Sequence, residues 1–188
     1  MKTLALFDFD GTLYKKDSLI EFTKYYKGNI IFYTGIMKLF PFLLGMKLGI
    51  LSNEKTKKRY ITHFFKNEHY LTFNRKSGVF ALTEIEKHLN ASIFSSLKNH
   101  LNLNHDIYIV TASFPEWIEP WSQKYNIKVI GTRLEIFNNI ITGEFHSKNC
   151  YGKEKVNRIN ETLDLTKFDK IYVYGSGKGD REMLELKK

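Results

Sequence analysis

At 188 residues, with 43% hydrophobic and 15% aromatic residues and only three prolines, the chain suits one core domain with a modest insertion and excludes a disordered segment. Its single cysteine, Cys150, excludes an internal disulfide framework and fits a reducing compartment. The net charge of +9 is unevenly placed: residues 14–76 hold 13 Lys/Arg against 4 Asp/Glu, while the rest holds 16 of each, so that segment should attract anions such as phosphate esters or an anionic membrane surface.

The amino terminus runs straight into an apolar run at residues 4–7, leaving no room for a signal peptide before a strand buried on both faces. That run meets Asp8 and Asp10, followed by Gly11 and Thr12. Two carboxylates at the carboxyl end of a buried strand are costly unless something pairs with them, and a hard cation such as Mg²⁺ is the usual partner. Alone, Asp-x-Asp reads equally well as a solvated turn.

A helix should follow, N-capped by Asp17 or Ser18, with Glu21 completing a capping box from Ser18. Residues 29–51 are strongly apolar, with Lys38 and Lys47 as their only charges. Their length would allow a membrane span, but Pro41 and the lysines predict two helices joined near Pro41. These either pack in a small helical domain or rest on a membrane interface. A basic helix over 55–67 with Tyr60 and Phe64 on one side, a return loop over 70–76, and helices over 77–90 and 91–103 come next.

Residues 107–110 form a second buried strand ending in Thr111-Ala112-Ser113, followed by a helix over 115–125 and a third strand over 127–131. Asn138-Asn139 between two apolar runs predicts a hairpin. A helix over 152–163, a fourth strand over 170–174, a Gly-rich loop over 175–180 and a last helix complete the chain. The alternation argues for an α/β fold, a doubly wound parallel sheet in which a helical segment over 14–76 interrupts a core made of 1–13 and 77–188.

Thr111, Lys155 and Asp180 each follow or flank a strand end, like Asp8 and Asp10. Read together, Phe-Asp-Phe-Asp-Gly-Thr-Leu at residues 7–13, Val-Thr-Ala-Ser at 110–113, the Cys-x-Gly-x-x-Lys string from Cys150 to Lys155 and Gly-Asp-Arg-Glu-Met-Leu at 179–184 resemble the four motifs of the haloacid dehalogenase-like (HAD) hydrolases. The match is similar in detail to the subfamily containing phosphoserine phosphatase, which carries a small helical cap where this chain inserts its basic segment. The resemblance implies a Rossmann-like core and a Mg²⁺-dependent phosphatase working through an aspartyl-phosphate. It makes Asp8 the nucleophile and Asp10 the general acid/base, both at the metal, with Thr111 and Lys155 holding the phosphate. Lys153 is the rival to Lys155, which the spacing after Cys150 favours.

Ala112, Asp17 and Arg59 are the implied substrate contacts, Asp17 standing where the subfamily has Glu. The fourth motif departs from its usual form, because Ser176 occupies the place of a metal-binding carboxylate and only Asp180 is kept. The expected partner is a small phosphorylated substrate in the cytoplasm. The alternatives are a lipid phosphate of the phosphatidylglycerophosphate type, with peripheral contact at the inner face of the membrane, and a phosphate-binding protein impaired by Ser176. Net charge alone would allow nucleic acid, but no motif supports it.

Overall fold

The earliest strand of the sheet in chain order takes an inner place, with a later strand on either side. A computed structural model describes residues 2–188. In it β1 (Thr3–Phe7) lies between β2 (Asp106–Val110) and β6 (Lys170–Tyr174), with β3 (Lys128–Ile130) outside β2, all parallel in the order β3-β2-β1-β6. Leu4 is opposite Asp106 on one side and Ile171 on the other. All five residues of β1 are buried, as an unbroken apolar run predicts for a strand covered on both faces. Successive side chains go to opposite faces, so Ala5 and Phe7 enter the larger core cluster and Leu4 and Leu6 the smaller one.

The smaller cluster is closed by α7 (Lys153–Thr162) and α8 (Arg181–Leu184) through Ile159 and Met183. The larger one is closed by α5 (Ala91–Asn102) through Leu97, by α6 (Glu119–Ser122) through Trp121, and by the helices inserted after β1. These are α1 (Ser18–Lys27), α2 (Asn29–Lys47), α3 (Asn53–Phe65) and α4 (Tyr70–Thr83). An antiparallel hairpin of β4 (Leu134–Phe137) and β5 (Ile140–Phe145) turns at Asn138 and Asn139, both at positive φ, as a two-residue type I′ turn requires. β5 braces α3, where the Thr62 hydroxyl donates to the Gly143 carbonyl and Ile141 exchanges backbone hydrogen bonds with Asn67 and Glu68.

Several expected boundaries move. Residues 29–47 are one helix through Pro41, not two. Proline removes the N–H that would bond the Met37 carbonyl, but Pro41 and Met37 both lie on the exposed side, where water can satisfy that oxygen. Residues 70–76 are helical rather than a return loop: Phe73, Ser77, Phe80 and Ala81 form one buried face, so the expected cap boundary at 76/77 falls inside α4. The segment over 115–125 breaks into two 3₁₀ turns around the four-residue α6, with Pro115 and Pro120 near the starts of its pieces. Asp17 is the N-cap of α1, accepting from Ile20 N, while Glu21 pairs with Lys16 and Lys24 instead of forming a capping box.

One aromatic cluster joins the inserted helices to the 3₁₀ turn that follows β2. Phe22 of α1 stacks on Trp117 at 4.6 Å between ring centroids and meets Phe65, Phe73 and Phe80 at 5.3–5.7 Å. All five rings are buried. Phe22→Ala should therefore destabilise the whole protein by about 3–5 kcal/mol in urea unfolding, with one cooperative transition, because the cavity would open where both layers meet. A loss below about 1 kcal/mol would mean the layers do not depend on this contact.

Candidate active site

Asp8 follows the last residue of β1, and its backbone N–H donates to the Tyr174 carbonyl of β6, so the sheet itself fixes the start of the turn. Its side chain is buried between two partners. Lys155 donates to Oδ1 at 2.6 Å, and the Thr12 hydroxyl donates to Oδ2 at 2.8 Å. Lys155, only 1% exposed, rises from the first turn of α7 and also donates to Asp180 Oδ1 and to the Val110 carbonyl, each at 2.7 Å. Asp180 is held in turn by the backbone N–H groups of Ser176 and Gly177, at 3.0 and 2.8 Å on Oδ2. Residues far apart in sequence thus converge on one ammonium.

The charges explain the arrangement. Burial opposes the charge on Lys155, but the Asp8 and Asp180 carboxylates outweigh it and hold its pKa above the usual lysine value. Burial pushes Asp8 up, and the Lys155 charge with the Thr12 hydroxyl pulls it part of the way back. Asp10 accepts from Ser18 N at 2.7 Å. Its pKa is pushed up to about 7, first by burial and then by the neighbouring Asp17 charge.

A cavity of about 500 Å³ brings together Asp8, Asp10, Asp17, Thr111, Ala112, Lys155 and Asp180. Its other wall is apolar, from Leu19, Ile20, Ile36, Leu43 and Met46 of α1 and α2. A larger one, about 630 Å³, lies along the outer edge of β3 by Arg133 and Arg158, but it contains none of the expected site residues. Thr111, at the end of β2, accepts from Ser113 N at 2.9 Å.

Two expected residues lie elsewhere. Arg59 is on another face of α3, with its guanidinium 4.2 Å above the Phe42 ring and its neighbours Lys55 and His63 beside a separate hollow. Ser176 does not line the cavity: its hydroxyl donates to the Gly11 carbonyl at 3.1 Å and lies 3.0 Å from the Thr12 hydroxyl. Besides Lys155 and Lys178, the inserted helices contribute a cation of their own to the cavity, Lys57 of α3. It shares a helix face with Asn53, Thr56 and Tyr60, and it donates to the Ala112 carbonyl and to Asn149 Oδ1. Burial pulls its pKa down to about 8 despite the Asp10 and Asp17 charges. Asn149 is pinned to α3 by Asn53 and Glu54, so the loop before α7 and the inserted helix meet at this point. Helical spacing puts 53, 56, 57 and 60 on one face, but it does not say which face of α3 meets the cavity, so Lys57 is not singled out by the sequence.

A hard cation fits this donor set. Asp8 and Asp180 are two buried carboxylates sharing one ammonium, which leaves a net negative charge, and Mg²⁺ needs only one or two carboxylates with water completing its shell. Among the described residues no group of three or more His, Cys, Asp or Glu forms a self-sufficient metal cage.

The family model for haloacid dehalogenase-like hydrolases matches residues 5–185. The chain belongs to this family. This hydrolase is 29% identical over 189 residues to protein CicA of Caulobacter vibrioides, an overlap that covers 97% of the chain and 82% of CicA. Its fold is similar to a protein of unknown function from Bordetella pertussis Tohama I, with a TM-score of 0.84 at 21% identity over 98% of this chain and 86% of that one. It is also similar to a substrate-bound phosphoserine phosphatase, with a TM-score of 0.65 at 15% identity over 100% and 83% of the two chains.

Lys155 is the keystone of this hydrolase's site, and its removal should show in stability. Lys155→Met leaves two buried carboxylates facing each other and should cost about 3–5 kcal/mol in urea unfolding at neutral pH. Adding Asp180→Asn to that variant should restore a part of the loss, since one of the stranded charges goes with it. A double variant no more stable than Lys155→Met would show that the two groups are not coupled.

Proposed function

We propose that this chain is a Mg²⁺-dependent phosphomonoester hydrolase, with α1–α4 as its cap, acting through an aspartyl-phosphate on Asp8 in the manner of phosphoserine phosphatase. The observation that carries the reading is the bridge Asp8–Lys155–Asp180 at the floor of a cavity that Asp10 and Thr111 also line. Family membership supports hydrolysis, and the paired carboxylates support covalent transfer to one of them.

In the first step a carboxylate oxygen of Asp8 attacks phosphorus while Asp10 gives its proton to the leaving oxygen. In the second, Asp10 takes a proton from water as that water attacks the aspartyl-phosphate, which returns Asp8 and releases phosphate. A pKa of about 7 leaves Asp10 able to serve as acid and then as base near neutral pH. Lys155 and the Thr111 hydroxyl meet the phosphoryl oxygens, and Lys57 adds a second positive charge on the cap side. Asp8 and Asp180 would hold Mg²⁺, which when bound supplies charge neutralisation on the transferring phosphoryl. Ser176, turned toward the β1 turn, would not take the place of the usual second carboxylate. The buried Cys150 thiol, pushed up to about 11 by burial, takes no part and suits a reducing cytoplasm.

The specificity end of the substrate faces Asp17, Lys57 and the apolar wall from α1 and α2. That wall favours, as a second reading, an ester with an apolar tail such as a lipid phosphate.

Turnover of a phosphomonoester panel, including phosphoserine and a lipid phosphate in detergent, should require Mg²⁺ and stop with a chelator. Asp8→Asn should lower it on the order of 10⁴-fold or more, while keeping the wild-type circular dichroism, because Lys155 retains Asp180 as a partner. A folded Asp8→Asn variant turning over near the wild-type rate would overturn the covalent mechanism, and a wild type inert on every ester with Mg²⁺ would favour a binding protein.

The cation assignment separates cleanly from this. Lys57→Ala should raise KM roughly tenfold, the worth of one charged hydrogen bond, whereas Arg59→Ala should leave KM within about twofold. The reverse order would return Arg59 to the site.

A further inference from the structure

α2 presents an apolar stripe to the outside. Ile30, Tyr33, Met37, Phe40, Leu44 and the capping residue Leu48 recur every three or four residues along one side, and Ile30, Met37 and Leu48 are 82%, 76% and 65% exposed. The opposite side is occupied, because Phe32, Gly35 and Leu39 are buried in the larger core cluster or against it, and any side chain at Gly35 would overlap the Phe64 ring of α3. The helix is therefore apolar all round but covered on one side only. Contiguous apolar surface of this kind marks a docking site.

Charge decides the occupant. Residues 28–53 contain no acidic residue. With 100° per residue, Lys38 and Lys47 fall on the two flanks of the stripe, each with a long apolar stem able to lie along the helix and lift its ammonium to an anionic layer. Beside them Lys55 and Arg59 of α3 border a hollow floored by Leu39 and Phe42. A second copy of the chain laid stripe on stripe would bring four helix lysines together with no acid on either helix to meet them, so self-association is disfavoured. A bilayer carrying negative headgroups matches both the apolar stripe and its basic borders. α2 is long and apolar enough to cross a membrane, but Phe32, Gly35 and Leu39 pack one side of it against the protein, which leaves its exposed side for lipid. It would lie in the interface plane.

We propose that the outer face of α2 docks this protein onto an anionic membrane surface. The same helix walls the active-site cavity through Ile36, Leu43 and Met46, so docking would bring that wall within about one helix diameter, ~10 Å, of the headgroups. The proposal goes beyond the hydrolytic reading and is read out by binding, without turnover.

The test is co-sedimentation of the full chain with phosphatidylglycerol-containing vesicles and with pure phosphatidylcholine vesicles. Binding to the anionic vesicles should be at least about fivefold stronger, since a single basic side chain near such a surface contributes that much, and it should weaken as salt rises. Met37→Glu, at an exposed position outside the cavity, should lower it at least about tenfold with unchanged thermal unfolding. Lys38→Gln with Lys47→Gln should lower the preference for anionic lipid at least about fivefold, and an unchanged preference would overturn the charge argument. Equal binding of the wild type to both vesicle types, binding to neither, or undiminished binding by Met37→Glu would overturn the proposal. A wild-type dimer in light scattering that Met37→Glu converts to monomer would overturn it as well, by making a second copy the occupant of the stripe.

Discussion

Two carboxylates that both stay ionised in a protein interior need a positive charge between them, and in this chain that charge is Lys155. Its ammonium spends its three protons on Asp8, Asp180 and the Val110 carbonyl, one from each of three chain segments. The requirement fixes much else. β1 must lie beside β2, because Val110 ends β2. The loop after β6 must fold back, because Asp180 is held by the backbone of residues 176 and 177. α7 must begin within reach of all three. The charged bridge at the floor of the cavity is thus also the tie that closes the carboxyl edge of the sheet.

The residues of this tie were legible in the sequence because each is announced by its place. An apolar run ending in Asp8, another ending before Thr111 and a Gly-rich loop ending at Asp180 are positions that a parallel sheet brings to one edge whatever its packing details. The cap side was less legible. Whether Arg59 or Lys57 faces the cavity depends on the rotation of α3, which is set by β5 and by the hydrogen bonds among Asn53, Glu54 and Asn149, none of them visible in α3 itself. The family resemblance points to an arginine in this segment, and the helix turns Arg59 toward Phe42 instead.

The element boundaries show the same division. A proline and a polar stretch are local signals, and their surroundings overrode both: α2 continues through Pro41 because the freed carbonyl lies on the exposed side, where water can reach it, and α4 begins at Tyr70 because Phe73 packs among Phe22, Phe65 and Trp117. The Asn138-Asn139 turn was legible because its backbone demands those residue types locally. Ser176 is an intermediate case. Its departure from the family motif was plain in the sequence, but its direction, toward Gly11 and Thr12, follows from the loop's fold.

The central place of β1 has a consequence for the order in which the chain assembles. Leu4 pairs with Asp106 and with Ile171, so β1 keeps both edges unpaired until residues beyond 100 and then beyond 170 have been made. The helices from Ser18 to Thr83, whose turns close locally, can form in the meantime, whereas the sheet waits on the slowest kind of closure, pairing between distant segments. Until then the buried run of β1 is an open edge that other chains could pair with. The strand that leads into Asp8 thus precedes both of its partners in the chain and is enclosed only after they are made, and the bridge Asp8–Lys155–Asp180 can close only once residue 180 has been added.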